Sequence, residues 1–344
     1  MERAKRRNSF DSQNSANLTG STKTQSPAVE DDIFTMLQRE ESRYRSKGYG
    51  LIWAASMSVA SILLFPVLGR MIWPTVLSWE IPEPYLVSAL ALPVSWGMQI
   101  ILNIMCFIIY HLEWDFFERY KINPNPWPWK KDREAWVKLM RKSVIVVIFN
   151  NLIILPLLML VDIHANEYKC PFSFDIESLP TPMTLLVTAP FFMIVEDCTF
   201  SSIHWLLHRK WLYPYIHKIH HTHITPVGVA AEYAHPLEFA LGNILPTTIG
   251  PLLLGKHVHL FTVIVWYIFR AGETIDGHCG YEFSWSPYRL IPFSGSAEYH
   301  DFHHTHNVGN FSSFFCLWDT VWGTNTDFYK YQELKKKALE LGKT

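Results

Sequence analysis

The sequence predicts an all-α integral membrane protein, with about four transmembrane helices, a membrane-embedded hairpin and a cytosolic histidine-rich helical cap. Two observations lead there. Nearly half of the 344 residues are hydrophobic (49%), with the apolar ones gathered in long uncharged runs. Of sixteen histidines, only His111 and His164 precede residue 200. A formal net charge of -1 leaves no electrostatic footprint for nucleic acid, which excludes that class of partner. The five cysteines are scattered without C-x-x-C spacing, which argues against a disulfide framework or a thiolate metal site.

Residues 1–45 open with a polar Ser-, Asn- and Thr-rich stretch that lacks an apolar h-region. They read as a disordered tail rather than a signal peptide, with "DDIFTMLQREESRYRSKGYG" able to form a short surface helix. Residues 46–189 read as the membrane region. Crossing the hydrocarbon core takes about twenty residues, and four stretches qualify: from Leu51 to Trp73, from Tyr85 with Pro93 as a kink, from Ser143 to Ile163, and from Met183 to about Phe200. Glu196 and Asp197 make the fourth the weakest. A soluble protein with buried helices is the alternative for each alone, but four in one chain argue against it.

Basic residues set the orientation. Between Glu113 and Lys142 lie Arg119, Lys121, Lys130, Lys131, Arg133, Lys138, Arg141 and Lys142, whereas the connection from Pro74 to Pro84 has no Lys or Arg. The basic loop is therefore expected in the cytosol, with the N-terminus and the chain after the fourth span on the same side.

In that chain, residues 190–328, three clusters appear: "HWLLH" (His204, His208), "HKIHH" (His217, His220, His221) and "HDFHH" (His300, His303, His304). Spacings of three and four place side chains on one helix face. Unpaired imidazoles near lipid cost roughly 1–3 kcal/mol each unless they find partners, so a common metal site explains the clusters better than coincidence or a pH-sensing patch. Eight imidazoles exceed what one ion takes and divide between two, with iron favoured over zinc. His257, His259 and His306 read as interfacial side chains, and His223, two positions past its cluster, points away from the shared face. Residues 329–344 read as a charged tail, and the terminal "ELGKT" is no H-D-E-L type signal.

These motifs, in this order after hydrophobic spans, resemble the fatty acid hydroxylase and sterol desaturase superfamily of membrane non-haem di-iron oxygenases. "EYAHPLE", "DGHCGYEFSWSPYRLIPF", "AEYHDFHH" and "NFSSFFCLWDTVWGT" are most similar to those of C-4 methylsterol monooxygenases. The resemblance covers roughly residues 115–328. It implies that the eight cluster histidines hold two iron ions, that His278 in "GHCGYEF" is a further ligand or orients one, and that His235 in "EYAHPLE" is either a ligand or not. It also implies O2-dependent oxidation of a C-4 methyl group in the endoplasmic reticulum membrane. The chain has no G-x-G-x-x-G and no haem-binding segment, so electrons from NAD(P)H must arrive through a separate donor. The resemblance names cytochrome b5 or its reductase, for which the Lys130–Arg133 loop offers a basic docking surface.

The histidine clusters must reach one site, so the chain between them crosses an even number of times. "FALGNILPTTIGPLLL" and "HVHLFTVIVWYIFRAG" are each near or below spanning length, and a hairpin that enters and leaves on the cytosolic side satisfies both facts. Tyr233, Glu238 and Trp285 are expected to shape the substrate pocket or support the ligands, the alternatives being an interfacial anchor for Trp285 and a solvated charge for Glu238. The motif histidines report the metal rather than the substrate, which leaves a fatty acyl or sphingolipid hydroxylase, another sterol hydroxylase or desaturase, and a non-catalytic metal-binding membrane protein as rival readings.

Overall fold

A computed structural model describes the backbone of residues 27–341 and the side chains from residue 47 on. No strand occurs among the described residues, and β pairing is limited to two isolated bridges, Lys121 with Tyr281 and Ser173 with His259. Five helices are long and apolar enough to cross a membrane, the build of a multi-pass membrane protein. α1 (Pro27–Ser78) contains the first span, Lys47–Ser78, and α2 (Leu86–Leu112) lies within the second, Glu83–Leu112. α3 (Arg133–Ala165), α4 (Pro182–Leu207) and α5 (Pro236–His257) follow.

Along α2, Ile100, Ile101, Ile104, Met105, Phe107 and Ile108 are all about half exposed or more. In water such a stripe would be a liability, whereas in a bilayer it is the lipid-facing surface. The polar groups do the reverse. Glu196 and Asp197, which weaken the fourth span on paper, are fully buried inside the protein. Arg270 donates to Glu196 at 2.7 Å, and one Asp197 oxygen accepts the backbone N–H groups of Ser313, Phe314 and Phe315. Charges at membrane depth are tolerable where they face the bundle and find partners.

The expected hairpin corresponds to α5 and α6 (Leu260–His278), joined by a reversal at Gly255, whose φ of +52° suits the missing Cβ. Its first arm is longer than "FALGNILPTTIGPLLL" suggested. A helical turn starting at Pro236 and a π-helical turn over Phe239–Ile244 extend it to 22 residues, spanning length. The second arm, interrupted by Arg270, Glu273 and Asp276, is not among the candidate spans. Its buried face, with Leu260, Val263 and Trp266, joins Trp73 of α1, Leu86 of α2, Phe192 of α4 and Phe314 in the main core.

The two ends of the chain depart from the tail reading. Residues 27–45 are helical and continuous with the first span, reaching beyond the short surface helix the sequence allowed; Pro27 stands at the helix start, where its missing N–H costs nothing, and no Gly or Pro interrupts residues 28–45. Residues 1–26, the polar start of the expected tail, lie outside the described residues. The expected charged tail at the other end forms α8 (Thr326–Leu341), which follows α7 (Ser296–His306) in chain order. Phe328, Tyr331 and Lys335 recur on one face of α8. Phe328 packs against Tyr299 and Phe302, and the Lys335 ammonium donates to Glu298 at 2.7 Å.

Candidate metal centre

Nine histidines converge in two groups. His204, His208, His217, His221 and His303 form one, and His220, His278, His300 and His304 the other, with the ligand atoms in each within 4.8 Å of one another. Two of the sequence motifs are split between the groups. In the 3-10 turn His217–Thr222, His217 and His221 serve the first group and His220 the second. On α7, His303 serves the first group, while His300 and His304, one turn apart, serve the second. The groups adjoin, with the rings of His221 and His304 4.8 Å apart.

Hydrogen bonding on the outer side of the rings sets their tautomers. His204 Nδ1 donates to the Phe311 carbonyl at 2.8 Å, His303 Nδ1 to Gly309 at 2.6 Å, His278 Nδ1 to Thr274 at 2.7 Å, and His304 Nδ1 to His223 at 3.1 Å. His220 Nδ1 faces the Tyr233 carbonyl at 3.3 Å, and His217 Nδ1 donates to the Glu238 carboxylate at 2.6 Å. A carbonyl can only accept, so the Nδ1 of His204, His220, His278, His303 and His304 carries the proton and leaves the lone pair on Nε2, and an ionised Glu238 asks the same of His217.

Those Nε2 atoms then face one another. His204 lies 3.1 Å from His217, His217 3.0 Å from His221, His221 3.2 Å from His303, His278 3.0 Å from His300 and His300 3.2 Å from His304. Between His204 and His217, both protonated on Nδ1, no proton remains to bridge the Nε2 lone pairs, which repel at this distance. A cation at the centre of each group turns the repulsion into coordination, because imidazole–metal bonds of roughly 2.0–2.1 Å put neighbouring ligands about 3 Å apart. Burial holds His217, His220, His300, His303 and His304 well below the ordinary imidazole range, and His208 is pushed down to about 2, so the rings are neutral ligands at physiological pH. The donor set fits two transition-metal ions.

The loop after α7 builds this arrangement. Asn307, Gly309 and Asn310 all adopt φ of +53°, folding the chain back so that the Gly309 and Phe311 carbonyls reach His303 and His204. Asp319 pins the loop, accepting from the N–H groups of Phe311 and Ser312, each at 2.9 Å, and from the Tyr299 hydroxyl at 2.9 Å. Asp319 does not stand out in the sequence, and Asp197 does so only as a charge that weakens the fourth span, since their role depends on a turn that no periodicity announces. Only the "NFSSFFCLWD" resemblance marks the place.

One cavity, with about 1540 Å³ of empty space when its open mouth is included, touches both groups. His204 and His217 line it from the first, and His220, His278 and His300 from the second. Among the residues singled out for the pocket, Glu238 lines it and also orients His217. Tyr233 contributes its carbonyl to His220 while its ring meets His223 edge-on at 5.4 Å. Trp285 is not among the lining residues; it sits in an aromatic stack with Phe116, Tyr120 and Phe283. His235 contributes to neither group, its Nδ1 instead accepting from the Leu237 N–H at the start of α5. His223, which the spacing turns away, bonds Ser143 at 2.8 Å.

Residues 189–324, which carry all nine histidines, match the sequence model of the fatty acid hydroxylase family. Methylsterol monooxygenase 1 of Gallus gallus is 38% identical over 233 residues, 67% of this chain and 74% of that protein. The chain belongs to the fatty acid hydroxylase family, in its methylsterol monooxygenase branch. Methylsterol monooxygenase 2-2 of Arabidopsis thaliana is 41% identical over 166 residues, 47% of this chain and 61% of that protein. A very-long-chain aldehyde decarbonylase of Oryza sativa is 42% identical over 165 residues, 46% of this chain and 60% of that protein. The family thus covers more than one named chemistry. No solved structure matches.

Proposed function

We propose that this chain is an O2-dependent, non-haem di-iron monooxygenase that oxidises the C-4 methyl group of 4-methylsterols in sterol biosynthesis, in the endoplasmic reticulum membrane. The observation that carries the metal half is the convergence of nine histidine ring nitrogens in two groups. The sterol half is supported by the relatives named methylsterol monooxygenase. His204, His208, His217, His221 and His303 hold one ion, and His220, His278, His300 and His304 the other. The bound irons supply activation of O2 toward an unactivated C–H bond, with electrons from NAD(P)H delivered through cytochrome b5 or its reductase.

The chain's own residues set the conditions for that chemistry. The Glu238 carboxylate and the backbone carbonyls fix the ring orientations, so little reorganisation is left for the reaction. The cavity wall contributes Leu155, Met159, Phe200 and Phe314, which exclude water and accept an apolar ring system beside both ligand groups. Expression of the intact protein in cells that lack C-4 demethylation is expected to consume 4,4-dimethylsterols, and the purified protein to carry about two irons per chain. An active zinc-only protein would refute the di-iron reading. An iron-loaded protein that ignores 4,4-dimethylsterols and hydroxylates an acyl lipid would refute the sterol reading alone.

A further inference from the structure

One carboxyl on the cavity wall has no part in holding the histidines. Glu232 precedes Tyr233, whose carbonyl faces His220, so it stands next to the four-histidine group. It lines the cavity together with Gln99 and Ser95, which lie one turn apart on α2. Glu232 Oε1 accepts from Gln99 Nε2 at 2.8 Å, while Oε2 has only a long approach, 3.5 Å, from Asn151 Nδ2 in the π-helical turn Asn150–Ile154. The other charged groups on the wall are already engaged. Arg270 binds Glu196 and Glu273, Asp276 binds Arg289, and Glu238 binds His217. Glu232 therefore keeps acceptor capacity directed at the cavity, on the side of the ligands.

An apolar ring system entering this cavity brings one polar group of consequence, the 3-hydroxyl, and the carbon that bears it is bonded directly to C-4. Whatever binds the hydroxyl therefore fixes the position of the C-4 methyl groups. We propose that Glu232, anchored by Gln99, accepts the hydrogen bond of the substrate's 3-hydroxyl, and so both selects 3-hydroxysterols over acyl chains and sets the C-4 methyl group against the metal centre. This inference rests on the 4-methylsterol reading. Burial pushes the Glu232 carboxyl up to about 7, as suits a side chain that meets the cavity rather than bulk water. The two π-helical turns flank this segment, Asn150–Ile154 bonding the Ala234 carbonyl through Asn150 and Phe239–Ile244 following Glu238. Such turns often mark functional positions in helices.

The test uses the iron-loaded full-length chain in lipid nanodiscs and compares binding of a 4,4-dimethylsterol with that of its 3-methyl ether, whose oxygen accepts but cannot donate. The wild-type protein is expected to prefer the free hydroxyl by roughly ten- to a hundredfold, the range for leaving a buried hydrogen-bonding group unpaired. Glu232→Leu should abolish the preference and retain bound iron, while Glu232→Gln restores most of the preference. Gln99→Leu, which keeps the carboxyl but removes its anchor, should weaken the preference and serves where the leucine variant does not fold. Undiminished preference in either apolar variant that retains iron overturns the inference and leaves the sterol reading intact. A wild-type protein that binds neither sterol brings down both.

Discussion

Asp319 and Glu238 show how single carboxylates act on the metal centre without touching it. Glu238 fixes the His217 ring directly, whereas Asp319 works through the backbone, holding the Phe311 and Ser312 N–H groups so that the Phe311 and Gly309 carbonyls stay on His204 and His303. All three oriented histidines belong to the five-histidine group. Asp319→Asn replaces one accepting oxygen by an NH2 that faces N–H or O–H donors, with an expected cost of about 1–3 kcal/mol. We predict preferential loss of the five-histidine group's ion, so that brief dialysis against a weak chelator leaves close to one iron per chain. Equal loss from both groups, or none, would argue against this route. At this scale the eight cluster histidines were legible because His at spacings of three and four is rare without a partner. Their division into groups was not, because it depends on which side of the ring each helix face presents. His235 shows the limit of motif matching, its nitrogen capping a helix instead of joining a group.

Among the elements, the first four spans were readable from hydropathy, whereas the full length of α5 and the ends of the chain were not. α8 carries enough Lys and Glu to pass for a tail, yet Phe328, Tyr331 and Lys335 at helical spacing give it a face that docks on α7, the helix bearing three of the converging histidines. The connection after α6 depends on a different feature. Gly280, two residues past His278, has a φ of +74°, and a Cβ there would meet the Trp127 ring at 2.9 Å and the Pro226 carbonyl at 3.1 Å. The neighbouring N–H of Ile122 bonds the Gly280 carbonyl, tying the basic connection to this turn. Gly280→Ala therefore combines left-handed backbone strain with a contact that the stacked Trp127–Trp129 pair resists yielding to. The expected destabilisation is about 1–3 kcal/mol, visible as a drop of several degrees in the unfolding midpoint in detergent. A midpoint within a degree of the wild type would show that the aromatic stack gives way freely.

For the whole molecule, convergence of the histidines constrains how the chain threads the bilayer. His221 and His303 belong to one group and His220 and His278 to the other, so the chain just before α5, the end of α6 and the middle of α7 meet at one place. The α5–α6 pair therefore leaves that place and comes back, whatever depth it reaches. The basic connection is tied to the same end, through the Ile122 N–H on the Gly280 carbonyl and the Glu282 N–H on the Tyr120 carbonyl. Arg119, Lys130, Lys131 and Arg133 lie in that connection, and the preference of Lys and Arg for the cytosolic face leads us to predict that the histidine groups face the cytosol. We predict that a protease-cleavable tag inserted beside Lys131 and another placed after Thr344 are both cut from outside sealed microsomes, while one between Asn166 and Lys169 is protected. Protection of just one of the first two tags would break the link between the basic connection and the centre. Protection of both, with cleavage of the third, would reverse the orientation and require the electron donor to approach from the lumen.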